Sequence, residues 1–221
     1  MQIAILIFEE LTALDAVGPY EVLRSVPGWE VLFVAPEAGP KRTDSGALAL
    51  VADHSIDEVD AADVLLVPGG KGNRPLLEDE RVLSWLRAVD EQSRWTTSVC
   101  TGSLVLGAAG LLKGKRATSH WLYVERLREF GAEPTLQRVV EDGKVITAAG
   151  VSSGIDMALH LVAREAGEEV AQAVQLAIEY DPEPPFDAGS PAKAPEQIVE
   201  LVRAVEAASD QRLESASGPG A

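Results

Sequence analysis

The stretch Ser98-Val99-Cys100-Thr101-Gly102 contains the one cysteine of the 221-residue chain, set where a run of strand-forming residues gives way to small ones. A thiol at such a turn can act as a nucleophile. In a nucleophile elbow the reactive side chain sits on a sharp strand-to-helix turn, with small residues two before and two after it. Ser98 and Gly102 occupy those positions. The helix that starts behind the cysteine directs its positive end at the sulfur, which favours thiolate. Its first free N–H groups can bind a developing anion. A buried apolar cysteine without chemistry is also common, and spacing alone leaves both readings open.

A second turn, Val67-Pro68-Gly69-Gly70, closes another apolar run. Glycines there let the backbone approach a ligand. The Gly70 N–H could pair with that of Thr101 as an oxyanion hole, although an ordinary strand-ending turn has the same composition. Asp15, in Leu14-Asp15-Ala16-Val17-Gly18-Pro19, follows the first strand. It reads either as a helix N-cap or as an acid reaching over the sheet toward Cys100. His120 borders the site or is a satisfied structural histidine; His160 and His54 read as structural. One cysteine and three scattered histidines give no H-E-x-x-H or C-x-x-C spacing, so no metal is expected. Neither a phosphate loop, G-x-x-x-x-G-K-S/T, nor a G-x-G-x-x-G fingerprint occurs, so no nucleotide cofactor is expected.

These residues need a scaffold, and the chain is long enough to bury a sizeable core. Hydrophobic residues make up 46% and charged residues 24%, the balance of a soluble globular protein. No apolar run approaches the roughly 20 residues of a membrane helix. Residues 1–8 are apolar but short, and they lack the positive n-region and cleavage site of a signal peptide. A single cysteine permits no intrachain disulfide, and a reducing cytoplasm is the simpler setting. The formal net charge of −16 argues against nucleic acid, which demands clustered Lys and Arg. The one local cluster, Lys113, Lys115 and Arg116, reads as a solvated loop.

Hydrophobic periodicity predicts strands over 3–8, 29–35, 63–67 and 95–99, with a short one over 116–119. Residues 47–52 read as part of a hairpin, and 139–148 as a hairpin around Asp142-Gly143. Helices are expected over 15–26, 76–92, 102–109, 121–130 (closed by Gly131), 153–166, 168–180 and 196–213. Residues 36–40 read as turn-rich, and 181–195, with five prolines, as an ordered surface loop. Strands alternating with helices imply an α/β fold, a mostly parallel sheet with helices on both faces. No repeat or clear boundary is seen, so one domain over 1–213 and a disordered tail over 214–221 are expected. Sites in such sheets lie at the carboxyl ends of the strands.

At Cys100 the sequence resembles the ThiJ/PfpI superfamily, whose flavodoxin-like fold is related to class I glutamine amidotransferases. Beyond the stretches already quoted, the likeness takes in residues 103–112, Lys115-Arg116-Ala117-Thr118-Ser119-His120-Trp121, Gly154-Ile155-Asp156, and Glu179-Tyr180-Asp181-Pro182 onward to Pro191. Together these look most like the isocyanide hydratase subgroup. The Cys-Thr-Gly and Ala-Thr-Ser-His-Trp stretches also resemble sensor-like domains of AraC-type regulators. The resemblance implies a homodimer acting on a small molecule without a cofactor. It implies a Cys100 nucleophile supported by Asp15 and Thr101, with Gly69, Gly70, Thr101, His120 and Val151 around the substrate or oxyanion. No histidine stands where glutamine amidotransferases keep a His-x-Glu pair near the chain end.

The implied chemistry is attack of Cys100 on the terminal isocyanide carbon, with Asp15 donating a proton to that carbon. A thioimidate forms, and water activated by Asp15 converts it to an N-substituted formamide. Two charges side by side would oppose each other, so one proton shared by Asp15 and Cys100 is expected at rest. Two other classes remain open: a glyoxalase-like lyase on small α-oxoaldehydes, and a non-enzymatic sensor with Cys100 oxidised as the signal. After Tyr180 the chain offers at most one long helix, too little for a helix-turn-helix pair.

Overall fold

Residues 3–7 are aliphatic without a polar interruption and are fully buried, as suits a strand covered on both faces. The computed structural model, which describes residues 1–216 and the side chains of residues 1–209, makes this run an interior strand of the sheet. Its strands are β1 (Gln2–Leu6), β2 (Glu30–Ala35), β3 (Gly39–Arg42), β4 (Ala49–Ala52), β5 (His54–Ser55), β6 (Val64–Val67), β7 (Trp95–Val99), β8 (Arg116–Ala117), β9 (Glu133–Pro134), β10 (Val139–Asp142) and β11 (Val145–Ala148). Its α-helices are α1 (Ala13–Leu23), α2 (Asn73–Leu76), α3 (Glu80–Gln92), α4 (Gly102–Ala108), α5 (Ser153–Ala166), α6 (Glu168–Ala177) and α7 (Glu196–Ala216).

The main sheet has the order β10-β11-β7-β6-β1-β2-β5. Every pairing in it is parallel except β10 with β11. From β1 the chain steps outward to β2, then returns to place β6 on the other side. Right-handed crossovers therefore put α1 on one face and α3 and α4 on the other. α5 packs against α1, and α3 against α4. This is the expected mostly parallel α/β fold. The reversal of strand order between β1 and β6 opens a crevice at the strands' carboxyl ends.

Register brings the pieces of the site to that crevice. Val67 pairs with Ser98, so the turn after β6 and the turn after β7 lie side by side. Leu11 bridges both Gly70 and Thr43, and Thr12 N–H donates to Gly69 O at 2.9 Å. The start of α1 is thus fastened to the end of β6. Gly102 is obligatory there: a β-carbon on it would lie 2.0 Å from Val67 O.

Several elements differ in extent from the sequence reading. The expected helix over 76–92 starts later, as α3 at Glu80, because Leu76 ends the short α2 and the Asp79 carboxylate accepts the N–H groups of Arg81 and Val82. Turn-rich 36–40 runs into β3, the partner of β4 in the hairpin. Residues 121–130 contain a 3-10 helix, Val124–Phe130, closed as expected by Gly131 at φ +74°. α6 stops at Ala177, three residues short of the expected end, and Glu179 has a positive φ of 48°.

The chain divides into two compact units, Met1–Tyr180 and the residues from Asp181 onward. The second carries α7, which continues past the expected end at residue 213 to Ala216. The rest of the expected tail, 217–221, lies outside the described residues. Among the described residues no helix is long and apolar enough to cross a membrane.

Candidate active site

Cys100 is the first residue after β7 and takes φ +58°, a left-handed conformation that costs a residue with a β-carbon about 1–2 kcal/mol. Its N–H is shared by the carbonyls of Ala148 (3.1 Å) and Ala149 (2.7 Å). This is the sharp turn of a nucleophile elbow, and it leaves the side chain 7% exposed.

Asp15 is the third residue of α1 and is fully buried. The N-cap position belongs to Thr12, whose hydroxyl donates to Asp44 Oδ2 at 2.7 Å. The capping reading of Asp15 therefore fails, because its side chain turns inward. Oδ2 accepts the Gly69 N–H at 2.9 Å, and the carboxyl lies beside the Cys100 thiol, close enough for each to shift the other's pKa. Oδ1 is buried without a partner of good geometry.

Burial pushes the Asp15 carboxyl up to about 7; the Gly69 N–H and the thiol pull it down, and the negative charge of Asp44 adds to the rise. Burial also pushes the Cys100 thiol well above its ordinary value, and the Asp15 charge raises it further. The N–H groups of Thr101 and Val151 act in the opposite direction at the sulfur. Helix-start N–H groups were expected to favour thiolate. Here desolvation and the neighbouring carboxylate outweigh them, so the resting pair is a thiol beside a carboxyl of nearly neutral pKa. Such a pair can pass one proton back and forth.

The two glycines have distinct functions. A β-carbon on Gly69 would lie 2.6 Å from Thr101 N, 2.7 Å from Thr101 Oγ1 and 2.9 Å from Asp15 Oδ2. Gly70, at φ +136°, donates its N–H to Thr101 Oγ1 at 3.1 Å. The Gly70 amide is therefore engaged by the threonine hydroxyl; the amide that joins Thr101's at the sulfur is Val151's. His120 stands one step away. A β-carbon on Gly150 would lie 3.0 Å from its Cδ2, and its Nδ1 accepts the Leu122 N–H at 3.4 Å. The structure thus gathers Cys100, Asp15, Thr101, Gly69, Gly70 and Val151, with His120 against the segment that leads into Val151.

Three residues with no assigned part in the sequence reading also touch this turn. Asn73, 5% exposed, donates Nδ2 to Thr101 O at 3.0 Å. Ser103 and Ser119, both buried, donate their hydroxyls to Cys100 O at 3.2 and 3.0 Å. Asn73 lies three residues past Gly70, and Ser119 lies in the Ala-Thr-Ser-His-Trp stretch. Their proximity in sequence to these motifs was the available signal. Among the described residues no cluster of three or more His, Cys, Asp or Glu side chains could hold a metal ion.

The relatives share this architecture. A crystal structure of a ThiJ/PfpI family protein from Pseudomonas syringae superposes with a TM-score of 0.89 at 40% identity, covering 93% of this chain and 86% of that one. Isonitrile hydratase of Pseudomonas putida is 47% identical over 203 residues, 92% of this chain and 89% of the relative. The HTH-type transcriptional regulator CdhR of Pseudomonas aeruginosa is 33% identical over 149 residues, but the match spans only 43% of that regulator. The family model described as DJ-1/PfpI matches residues 1–164, the whole of the main sheet and most of α5. On that match the chain belongs to the DJ-1/PfpI family.

Proposed function

We propose that this protein is an isocyanide hydratase, adding water to a small isocyanide to give an N-substituted formamide. The observation that carries the reading is the buried Asp15 carboxyl set beside the buried thiol of Cys100 at a left-handed strand-to-helix turn. The 47% identity to an isonitrile hydratase across 92% of the chain supports it.

In this reading the Asp15 carboxylate takes the thiol proton as the sulfur attacks the terminal isocyanide carbon. Protonated Asp15 then delivers that proton to the carbon. One S–H bond is lost, one C–S and one C–H bond form, and the product is a thioimidate. Asp15, again a carboxylate, takes a proton from water as the water oxygen adds to the same carbon, and passes that proton to the nitrogen. Collapse breaks the C–S bond, the sulfur regains a proton, and the formamide leaves. Val151 and Thr101 N–H groups stabilise negative charge on sulfur when it forms and when it departs. With the Gly70 N–H directed at its oxygen, Thr101 has its hydroxyl proton left to donate to the substrate. The protein works in the cytoplasm as a homodimer, without a cofactor.

The test is formamide production from a simple aliphatic or aromatic isocyanide by the native protein, Cys100→Ala and Asp15→Asn. Turnover by native protein that vanishes in both variants is the expected result. No turnover by freshly reduced native protein across several isocyanides refutes the reading. Light scattering on the purified protein tests the dimer.

A further inference from the structure

The Cys100 carbonyl is held as firmly as its N–H. It accepts two buried hydroxyls, Ser103 Oγ and Ser119 Oγ. The Ser103 bond is local, three residues on. The Ser119 bond spans 19 residues and comes from the segment after β8. A non-glycine residue stays in a left-handed conformation only where its surroundings over-determine it, and this carbonyl clamp supplies part of that constraint.

The clamp also has an electrical consequence. The carbonyl of Cys100 and the N–H of Thr101 are the two ends of one peptide unit. That N–H faces the Cys100 sulfur and favours its charged form. A donor on the carbonyl polarises the peptide and strengthens the hydrogen bond at its other end. We infer that Ser119 is a positioning residue for the nucleophile: its hydroxyl fixes the left-handed turn at Cys100 and, through the shared peptide, strengthens the Thr101 N–H as a partner for negative sulfur. Ser103 acts on the same carbonyl. The inference rests on Cys100 as the nucleophile and is independent of the substrate it attacks.

Alkylation of Cys100 by iodoacetamide, followed as a function of pH, tests it, and with one cysteine in the chain the reaction reads this thiol alone. The variants are Ser119→Ala, Ser103→Ala, the double variant, and Ser119→Thr, which keeps a hydroxyl. Removing Ser119 leaves the carbonyl its Ser103 bond, so no buried acceptor is orphaned. Ser119→Ala slows alkylation about three- to tenfold at fixed pH, the net worth of one hydrogen bond, and moves the profile to higher pH. Ser119→Thr recovers the native profile in part, and the double variant exceeds either single one. Isocyanide kcat falls in step while KM is unchanged. Should Ser119→Ala fail to fold, Ser103→Ala interrogates the same carbonyl. Alkylation profiles that superpose on the native one for the folded alanine variants overturn the inference, whatever the protein does with isocyanides.

Discussion

Asp15 Oδ2 lies 2.9 Å from the Gly69 nitrogen, and a β-carbon on Gly69 would lie 2.9 Å from that same oxygen. The backbone that holds the acid in place thus has no room for a side chain. The same β-carbon would lie 2.6 and 2.7 Å from Thr101 N and Oγ1, so the acid and the residue after the nucleophile converge on the space that a side chain at position 69 would fill.

Gly69→Ala therefore pushes Asp15 and Thr101 apart. Overpacking at such a point costs about 1–3 kcal/mol of stability. The effect on catalysis is larger, because a displacement near 1 Å can lower a rate about 100-fold. Thermal unfolding and steady-state kinetics on the same preparation check this; a variant that loses stability but keeps kcat would show that the spacing matters only to folding.

Asp15 also makes stability depend on pH. Its carboxyl ionises at about 7 in the fold against an ordinary value of 3.8. Between those values the native state binds more protons than the unfolded chain, so this group's contribution falls as pH rises through the window. The cost of ionising it is on the order of 4 kcal/mol. Asp15→Asn removes that dependence: its stability relative to the native protein rises from pH 4.5 to pH 8, read by denaturant unfolding at both. Native kcat/KM rises with pH through an apparent pKa near 7, where the carboxylate that accepts the thiol proton forms. A flat native profile would remove Asp15 from that role.

Much of this arrangement is legible in the sequence. The turn at Cys100 is, because a strand-forming run gives way to small residues at Thr101-Gly102-Ser103, although that spacing alone also suits a buried cysteine without chemistry. Asp15 is not settled that way: acids suit both a cap and the first turn of a helix, and only the register of Thr12 decides between them. The sulfur's second N–H partner is the backbone of Val151, and a backbone amide leaves no side-chain signature. Ser119 is named in a motif, but its target is a carbonyl 19 residues away that no local pattern predicts. The start of α3 is less legible, because the apolar spacing reaches back to Leu76 and Leu77 while the Asp79 cap sets the helix at Glu80.

Arg138 secures the segment that presents Val151. Its carbonyl accepts the Ala149 N–H at 2.9 Å, and Ala149 O in turn accepts the Cys100 N–H. Its guanidinium donates to Asp156 Oδ2 at 2.7 Å and to Ser152 Oγ at 3.3 Å, and Tyr180 reaches the same carboxylate at 3.2 Å. The Arg138 side chain is half exposed, so solvent screens the ion pair. Arg138→Ala should cost only about 1 kcal/mol, a fall in Tm of about 2–4 °C. Because one end of the Val151 segment is released, kcat falls more than that change implies, and Arg138→Lys recovers only part of it, lacking the planar fork. Melting curves and kinetics of the three proteins decide; equal kcat in all three would confine Arg138 to stability.

Thr101 offers the sharpest separation of roles. Thr101→Val keeps its shape but removes the acceptor of the Gly70 N–H, leaving a partly buried amide unpaired at about 1–3 kcal/mol. It also removes the Thr101 hydroxyl proton, which lowers kcat on the order of 100-fold if that proton is transferred or donated in the transition state. The Thr101 backbone N–H at the sulfur survives the substitution, so alkylation of Cys100 stays within about twofold of native. Thr101→Ser restores the hydroxyl and most of the turnover. If alkylation instead falls as far as turnover, the hydroxyl acts by holding the turn, through Gly70, and the substrate receives its proton from Asp15 alone.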